Sequence, residues 1–336
     1  MNENKIWDVI IIGGGPSGYT AGIYTSRATL STLMISGIGA GGQLMNTTEV
    51  ENFPGFSKGI MGPDLMIEMM DQAKRFGVEM KQENVTRVEL IEKTQELKNS
   101  RTQNNELKKI YIGEEEILAK SVIVSTGANS RMLNIGEEKL MGKGVSVCAV
   151  CDAAFFRDKV TYVVGGGDAA IEDAIALTKY AKEVYLVVRK EALRASKIMQ
   201  ERAINNPKIK ILWNSEVTEV GGEEKLKTLK LKNSKTKNVE EVVADGLFLA
   251  IGHFPATELF KGQLDLDEKG FLKTGLTAST EEMWLEGYPT MTSVKGVFGA
   301  GDVVDFRYKQ AITAAGMGCQ AALDVEKYLT GSISGY

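Results

Sequence analysis

The chain has little of what most protein sites are built from. In 336 residues there is one histidine, His253, and three cysteines. Structural zinc wants four nitrogen or sulfur ligands, usually from paired motifs. Cys148-Ala149-Val150-Cys151 has no second C-x-x-C to pair with. A site from Cys148, Cys151, Cys319 and His253 is arithmetically possible, but the last two sit in segments that read as core and loop. Three cysteines also exclude a disulfide scaffold at this length. No apolar run approaches the roughly 18 residues of a membrane span. The net charge is only -4, so nothing points to nucleic acid or an anionic membrane as a partner. Met1 to Trp7 is short and polar and runs straight into a strand, without a targeting pattern. The cytoplasm is the expected compartment. The rest is ordinary: 43% hydrophobic and 25% charged residues describe a globular protein, and the length suggests about two domains.

Against that background Cys148-Ala149-Val150-Cys151-Asp152 stands out. Two cysteines separated by two residues can close a small disulfide, and a suitable environment lowers the pKa of one thiol. Asp152 follows at once and is placed to take or give the proton that thiol chemistry needs. Redox chemistry is the first reading and a zinc half-site the second.

The pair lies between two dinucleotide fingerprints. Asp8-Val9-Ile10-Ile11-Ile12 reads as a buried parallel strand. Gly13-Gly14-Gly15-Pro16-Ser17-Gly18 follows and matches G-x-G-x-x-G; a helix over Tyr19 to Ala28 and a strand over Ser31 to Ile35 complete the context. The glycines allow a tight turn and bring a pyrophosphate close to the helix N-terminus. The second strand ends in Ser36-Gly37 rather than an acid, so the ribose contact must come from elsewhere. The pattern then repeats: a strand over Val160 to Val164, Gly165-Gly166-Gly167-Asp168-Ala169-Ala170, a helix over Ile171 to Tyr180 and a strand over Val184 to Val188. Arg189, Lys190 and Arg194 stand at that strand's end, where arginines suit the 2′-phosphate of NADP and an acid would favour NAD. The plain alternative is a solvated basic face, and Glu191 is a competing charge.

Other stretches support this frame. Gly39 to Leu44 and Asn52 to Phe56 read either as surface loops or as contacts to a large flat ligand. Gly62 to Phe76 is an amphipathic helix whose methionines read as core filler. Val85 to Ile117 suggests antiparallel strands around a polar tip, Gln95 to Lys109, and Ser121 to Val124 a further strand ending in Ser125-Thr126-Gly127-Ala128. Ile209 to Val220 reads as one strand, Leu229 and Leu231 mark a half-buried hairpin, and Gly246 to Gly252 is a buried strand leading to His253, a lone histidine that reads as structural. Glu281 to Pro289 reads as an exposed loop. Gly296 to Asp302 is a strand that ends at an acid. A long helix, Gln310 to Leu329, opens with Ala311, Ala314, Ala315, Gly316 and Gly318. Residues this small let a helix start lie beneath a planar ring, where its positive end stabilises negative charge on a reduced flavin.

Together these motifs resemble the low-molecular-weight thioredoxin reductases, which are FAD- and NADPH-dependent disulfide reductases. The resemblance runs from about Trp7 to Leu329 and rests on Gly13 to Gly18, Gly41 to Leu44, Glu51 to Gly55, Thr126 to Ala128, Cys148 to Asp152, Gly165 to Ala170, Arg189 to Lys197, Ala250 to His253, Gly301-Asp302 and Gln310-Ala311. It implies an α/β fold of two Rossmann-like, three-layer domains. The NADPH domain, 128–250, carries the redox disulfide and is inserted into an FAD domain made of 1–127 and 251–336. It implies that hydride passes from NADPH to FAD and electrons then pass to the Cys148–Cys151 disulfide. Cys151 would face the flavin, Cys148 would attack oxidised thioredoxin, and Asp152 would serve as acid and base.

By the same resemblance FAD is held by Gly13, Gly15, Pro16, Ser17, Gly18, Ser36, Gly41, Gly42, Gln43, Leu44, Asn52, Thr126, Gly127, Ala128, Gly301, Asp302, Lys309, Gln310 and Ala311. NADPH is held by Gly165, Gly167, Asp168, Ala169, Ala170, Arg189, Lys190 and Arg194. A homodimer is implied, as is rotation of one domain against the other about Thr126-Gly127-Ala128 and Gly252-His253. The chain departs from the family at Ala153, where glycine is usual, at Val188 in place of histidine, and at Lys190 and Lys309 in place of arginine. The alternative is a related flavoprotein that reduces another disulfide or uses a different electron donor. A flavin-binding module without turnover would have lost a cysteine or Asp152, and all three are present.

Overall fold

The computed structural model describes residues 5–47, 49–91, 107–276 and 287–331. Residues 95–106 of the expected polar tip and 281–286 of the expected loop lie outside these. The chain forms two compact units. The first comprises Met1–Met45, Phe53–Asn129 and Phe254–Tyr336, and the second comprises Asn46–Asn52 and Ser130–His253. Asn52, expected with the flavin residues, therefore falls in a short segment that groups with the second unit. No helix among the described residues is long and apolar enough to cross a membrane.

In the first unit β1 (Ile6–Ile12) lies parallel to β2 (Thr32–Ile35), with Ile10 opposite Leu33. Val9, Ile10 and Ile11 are fully buried, as a β-branched run covered on both faces must be. Helix α1 (Pro16–Arg27) joins them. It starts at the glycine turn rather than at Tyr19, because proline at the first helical position needs no N–H partner. Helix α2 (Gly62–Arg75) and β3 (Glu79–Lys81) follow, then β4 (Arg87–Glu89), β5 (Lys108–Ile112) and β6 (Glu115–Val124).

Two expectations change here. The stretch ending near Ile117 and the strand from Ser121 are one ten-residue strand, β6. Its first half pairs antiparallel with β5 and its second half parallel with β1. Lys108, expected in the polar tip, is a buried strand residue at 4% exposure whose Nζ donates to the Leu90 carbonyl at 3.1 Å. Its aliphatic stem is what the core receives.

The short strand β7 (Ala128–Ser130) ends this first pass. The second unit then runs β8 (Val145–Ser146), α3 (Ala149–Asp152), β9 (Val160–Val164), α4 (Asp168–Thr178), β10 (Glu183–Val188), α5 (Lys197–Ile204) and β11 (Ile209–Trp213). The antiparallel strands β12 (Ser215–Gly221), β13 (Thr228–Asn233) and β14 (Val239–Val243) follow, and β15 (Gly246–Leu249) returns to the parallel sheet. That sheet has the order β8-β15-β9-β10-β11. Alternation along its strands divides the core: Val163, Leu186 and Phe248 pack with α4 and α5, while Tyr162, Val164 and Leu247 pack with Leu229 and Leu231 of the antiparallel layer. The single strand expected over Ile209 to Val220 is broken at Asn214, which has φ 53°. Asparagine tolerates this left-handed turn, and the break lets the chain leave one sheet for the other.

The chain re-enters the first unit through β16 (His253–Pro255), which pairs with β7. β17 (Val297–Gly299) then adds to β6, and α6 (Ala311–Thr330) closes the unit. Gln310 caps α6 rather than lying inside it. Helices α1 and α6 pack together through small residues: a Cβ on Gly318 would collide with the Ser17 carbonyl, and one on Gly301 would sit 2.6 Å from Ser17 Oγ. Gly316, on the same helix, faces open space.

This contrast sets a prediction. Gly318→Ala overpacks the α1–α6 contact and should cost about 1–3 kcal/mol, read as a lower urea midpoint. Gly316→Ala should be neutral or stabilising by up to about 1 kcal/mol, the helix preference of alanine over glycine. Equal effects at the two positions would show that close packing at Ser17 is not what Gly318 provides.

Candidate functional site

The redox turn comes first. Cys148 and Cys151 form a disulfide with Cα atoms 5.4 Å apart, and both are half-buried. Cys148 is the cap of α3: its Sγ accepts the Cys151 N–H at 3.3 Å, and its carbonyl accepts the Asp152 N–H at 3.2 Å. Ser146 Oγ accepts the Cys148 N–H at 3.0 Å. Asp152 is 8% exposed. Burial pushes its carboxyl up from the ordinary value and a hydrogen bond with Ser146 opposes this, while Oδ1 has no hydrogen-bond partner. A buried carboxyl biased toward its neutral form, with one oxygen unspent, is suited to giving and taking a proton. Ser146 links the acid to the redox turn, and nothing in the sequence marked it. The zinc reading finds no support: the two sulfurs are bonded to each other, and among the described residues no group of three or more His, Cys, Asp or Glu could hold a metal ion.

The two glycine turns have the same form and different charge. In the first unit Gly13 has φ 116°, and a Cβ there would collide with the Ser125 carbonyl. Gly15 faces open space. Helix α1 has no side-chain cap and no acid in its first turn, so its N-terminal N–H groups are left for an anion such as a pyrophosphate. Gly41 donates its N–H to the Gly14 carbonyl at 2.7 Å, tying the second glycine cluster to the first. Gln43, with Leu44 in the same 3₁₀ turn, donates to the Ala128 carbonyl, and Thr126 Oγ1 donates to the Ala256 carbonyl at 2.8 Å. Ser36 is buried, with its hydroxyl on the Gly37 and Lys81 carbonyls. Asn84 stands beside it, accepting the Ile38 N–H at 3.1 Å. Asn84 is a polar group at the end of β2 that sequence reading missed, because no local motif carries it there.

At the other end of the unit, Asp302 follows β17. Burial pushes its carboxyl up to about 6, with Asp305 adding and Lys309 opposing. Such a carboxyl gains from hydroxyl donors, as a ribityl or ribose chain would supply. Asp305 accepts the N–H groups of Arg307, Tyr308 and Lys309, which shapes the turn into Gln310 and Ala311 at the start of α6. Lys309 has φ 50°, and burial lowers its pKa. The open turn at Gly15, the uncapped α1 and the half-buried Asp302 fit a flavin dinucleotide.

In the second unit Gly165 packs a hypothetical Cβ 2.7 Å from Ala170 Cβ, while Gly167 faces open space. Here the helix does carry an acid at its start, Asp168, next to exposed Ala169. Its Oδ1 accepts both the Ser196 N–H at 2.9 Å and the Ser196 hydroxyl at 2.8 Å, bonds that lower its pKa. Asp168 thus braces the segment after β10 rather than standing free in the turn. The Gly166 carbonyl accepts the Arg194 N–H at 2.6 Å and the Ala195 N–H at 3.2 Å. Leu193 and Ala195 are buried while Arg189, Lys190 and Arg194 are exposed. Three cations are therefore presented on a pinned loop. Glu191, the competing charge, is paired with Lys235. Val188 is 4% exposed and belongs to the core.

These features match known proteins. The family model described as pyridine nucleotide-disulphide oxidoreductase matches residues 7–318. The chain is 51% identical over 328 residues to a thioredoxin reductase of Streptomyces clavuligerus, covering 97% of this chain and 95% of the relative. It is 46% identical to thioredoxin reductase 1 of Saccharomyces cerevisiae, covering 98% and 99%. Among solved structures, a thioredoxin reductase of Streptococcus pyogenes is similar with a TM-score of 0.85 at 37% identity, covering 98% of this chain and 99% of that one. One from Giardia duodenalis gives 0.82 at 40%, covering 97% and 99%. With a closed C-x-x-C disulfide, two glycine turns and a match over nearly its whole length, the chain belongs to the pyridine nucleotide-disulphide oxidoreductase family.

Proposed function

We propose that this protein is a thioredoxin-disulfide reductase that uses NADPH and FAD. The observation that carries the reading is the Cys148–Cys151 disulfide at the head of α3, followed by buried Asp152, in the same unit as the second glycine turn. The relatives named thioredoxin reductase support thioredoxin as the partner. Bound FAD supplies the two-electron relay between the nicotinamide hydride and the disulfide. The residues of this chain do the rest. The first turn, with Gly13, Gly15, Pro16, Ser17 and Gly18, binds the FAD pyrophosphate at α1. Asp302 accepts hydroxyl groups of the FAD chain, and Lys309, Gln310 and Ala311 place the start of α6 at the ring. The second turn binds the NADPH pyrophosphate at α4, and Arg189, Lys190 and Arg194 bind the 2′-phosphate. Once reduced, one thiolate of the pair attacks the thioredoxin disulfide, a mixed disulfide forms, and the second thiol resolves it. Asp152 holds the proton exchanged with the thiols. We place the enzyme in the cytoplasm, the compartment expected from the sequence, and as a homodimer, as the resemblance implies.

The test is NADPH oxidation by the purified yellow protein with oxidised thioredoxin as acceptor. Cys148→Ser and Cys151→Ser should each abolish thioredoxin turnover while NADPH still bleaches the flavin, because exchange needs an attacking and a resolving thiol. Asp152→Asn should slow turnover on the order of 10²-fold, the usual scale for a lost general acid. Substantial turnover by either serine variant would overturn the reading, and a different disulfide turned over in preference to thioredoxin would replace the partner.

The nucleotide assignment has its own test. Arg189→Ala with Arg194→Ala should raise the KM for NADPH and leave that for NADH nearly unchanged. Asp168→Ala should do the same more weakly, because it unpins the loop through Ser196, whereas Asp168→Asn retains an acceptor. Equal losses for the two nucleotides would mean that the loop does not read the phosphate.

A further inference from the structure

The arginine loop carries a carboxylate among its cations. Glu191 follows Arg189 and Lys190 just past the end of β10, and it is exposed. An acid near this place in a dinucleotide fold takes a ribose 2′-hydroxyl, and its charge repels a 2′-phosphate. Alone, Glu191 would oppose what Arg189 and Arg194 provide. It is paired: Lys235 Nζ donates to Glu191 Oε2, and this bond holds the carboxyl below its ordinary value. Lys235 comes from the turn between β13 and β14, 44 residues further along the chain. Backbone contacts tie that turn to the loop. Asn233 Oδ1 accepts the N–H groups of Lys235 and Thr236, each at 3.0 Å, and Asn233 Nδ2 donates to the Trp213 carbonyl at 3.3 Å. The Ser234 N–H donates to the Asn214 carbonyl at 2.7 Å, and the Asn214 N–H donates to the Lys190 carbonyl at 3.2 Å. The strand break at Asn214 thus joins the hairpin turn on one side to the cationic loop on the other. An isolated pair of exposed side chains is weak, because both must be ordered to form it. Here the backbone at both ends is already placed, so only the side chains remain to be ordered.

We propose that Lys235 sets nucleotide specificity as a positioning residue: from the β13–β14 turn it neutralises and holds Glu191, so that the loop takes an adenosine 2′-phosphate in preference to an adenosine 2′-hydroxyl. This rests on the reading of Arg189, Lys190 and Arg194 as the 2′-phosphate site. Specificity is a difference of two affinities, and the pair acts on both. It cancels a charge that would repel the phosphate of NADPH, and it engages a carboxylate that would otherwise accept the 2′-hydroxyl of NADH. Two other lysines of β13 serve their own hairpin, Lys230 pairing with Glu219 and Lys232 with Glu216 of β12. Lys235 crosses to the loop instead. The antiparallel layer therefore does more than cover one face of the parallel sheet: its turn delivers a charge to the nucleotide site.

The experiment is calorimetric titration of the holoenzyme at low ionic strength with adenosine 2′,5′-bisphosphate and, separately, with 5′-AMP. The two probes differ in the 2′-phosphate, and neither binding requires turnover. Lys235→Gln should weaken the bisphosphate about threefold and leave AMP nearly unchanged, the scale of one exposed charge pair. Lys235→Glu, which reverses the charge, should weaken it about tenfold, and Lys235→Arg should bind as the wild type does. The double variant of Lys235→Gln with Glu191→Gln removes both charges and should return the bisphosphate to wild-type affinity. In turnover, Lys235→Gln should raise the KM for NADPH, leave kcat at saturating NADPH unchanged, and leave the KM for NADH unchanged or lower. Equal losses for the two probes would assign Lys235 a structural role in the turn and overturn the proposal. A double variant as weak as Lys235→Gln would show Lys235 acting on the phosphate directly and overturn the neutralisation. A wild type that binds the bisphosphate no better than AMP strikes the 2′-phosphate reading and this proposal with it. A wild type that prefers the bisphosphate, with Lys235 variants that prefer it equally, overturns this proposal alone.

Discussion

The packing of α3 on α4 is the constraint on which the second unit depends. One helix carries the disulfide at its head, and the other begins at the glycine turn. The interface between them is made of small and fully buried residues, Ala149 and Ala153 from the redox side and Ala170 and Ala174 from the other. Interiors packed at this density have no slack for sliding one helix over the other. The redox pair and the nucleotide turn are therefore parts of one body, and whatever moves one moves the other. The parallel sheet behind them holds the frame, with Phe248 stacked edge-on to Phe156 beneath the redox turn.

The two glycine turns show how one backbone device is fitted to two tasks. Both have a positive-φ first glycine, an open third glycine and a helix start beyond it. The first helix start is left bare, with no acid and no cap, which suits a ligand held permanently by its pyrophosphate. The second carries Asp168, whose charge is committed to Ser196. That bond, with the two N–H groups given to the Gly166 carbonyl, holds the arginine loop over the turn. Long cationic side chains lose much rotamer freedom on binding, and a loop already in place reduces what remains to be ordered.

What was legible in the sequence was whatever chemistry writes locally. A turn that must pass close to a phosphate needs glycine at fixed spacing, and an exchange disulfide needs its cysteines adjacent, so Gly13 to Gly18, Gly165 to Ala170 and Cys148 to Asp152 could be read directly. The strands and helices around them followed from apolar runs. What could not be read were contacts that join distant segments. Asp168 looked like part of the nucleotide turn, and only the fold shows it spent on Ser196. Lys108 in a buried strand and Asn214 at a strand break were misread for the same reason: period and propensity describe one element at a time, while these positions are decided by a neighbour.

We propose that the nucleotide turn and the disulfide, which ride on one body, take turns at the flavin. Hydride transfer requires the nicotinamide in close contact with the ring, and electrons leave through a disulfide that must then reach thioredoxin. The crossings between units at 129/130 and 253/254 each have a glycine close by that suits a hinge: Gly127 has φ 73° and Gly252 has φ 102°, a region in which glycine moves freely. The direct measurement is thioredoxin turnover by enzyme whose two units are joined through a photocleavable cross-link. Alternation predicts that turnover is lost while the link is intact and returns on illumination. Full turnover with the link intact would contradict it.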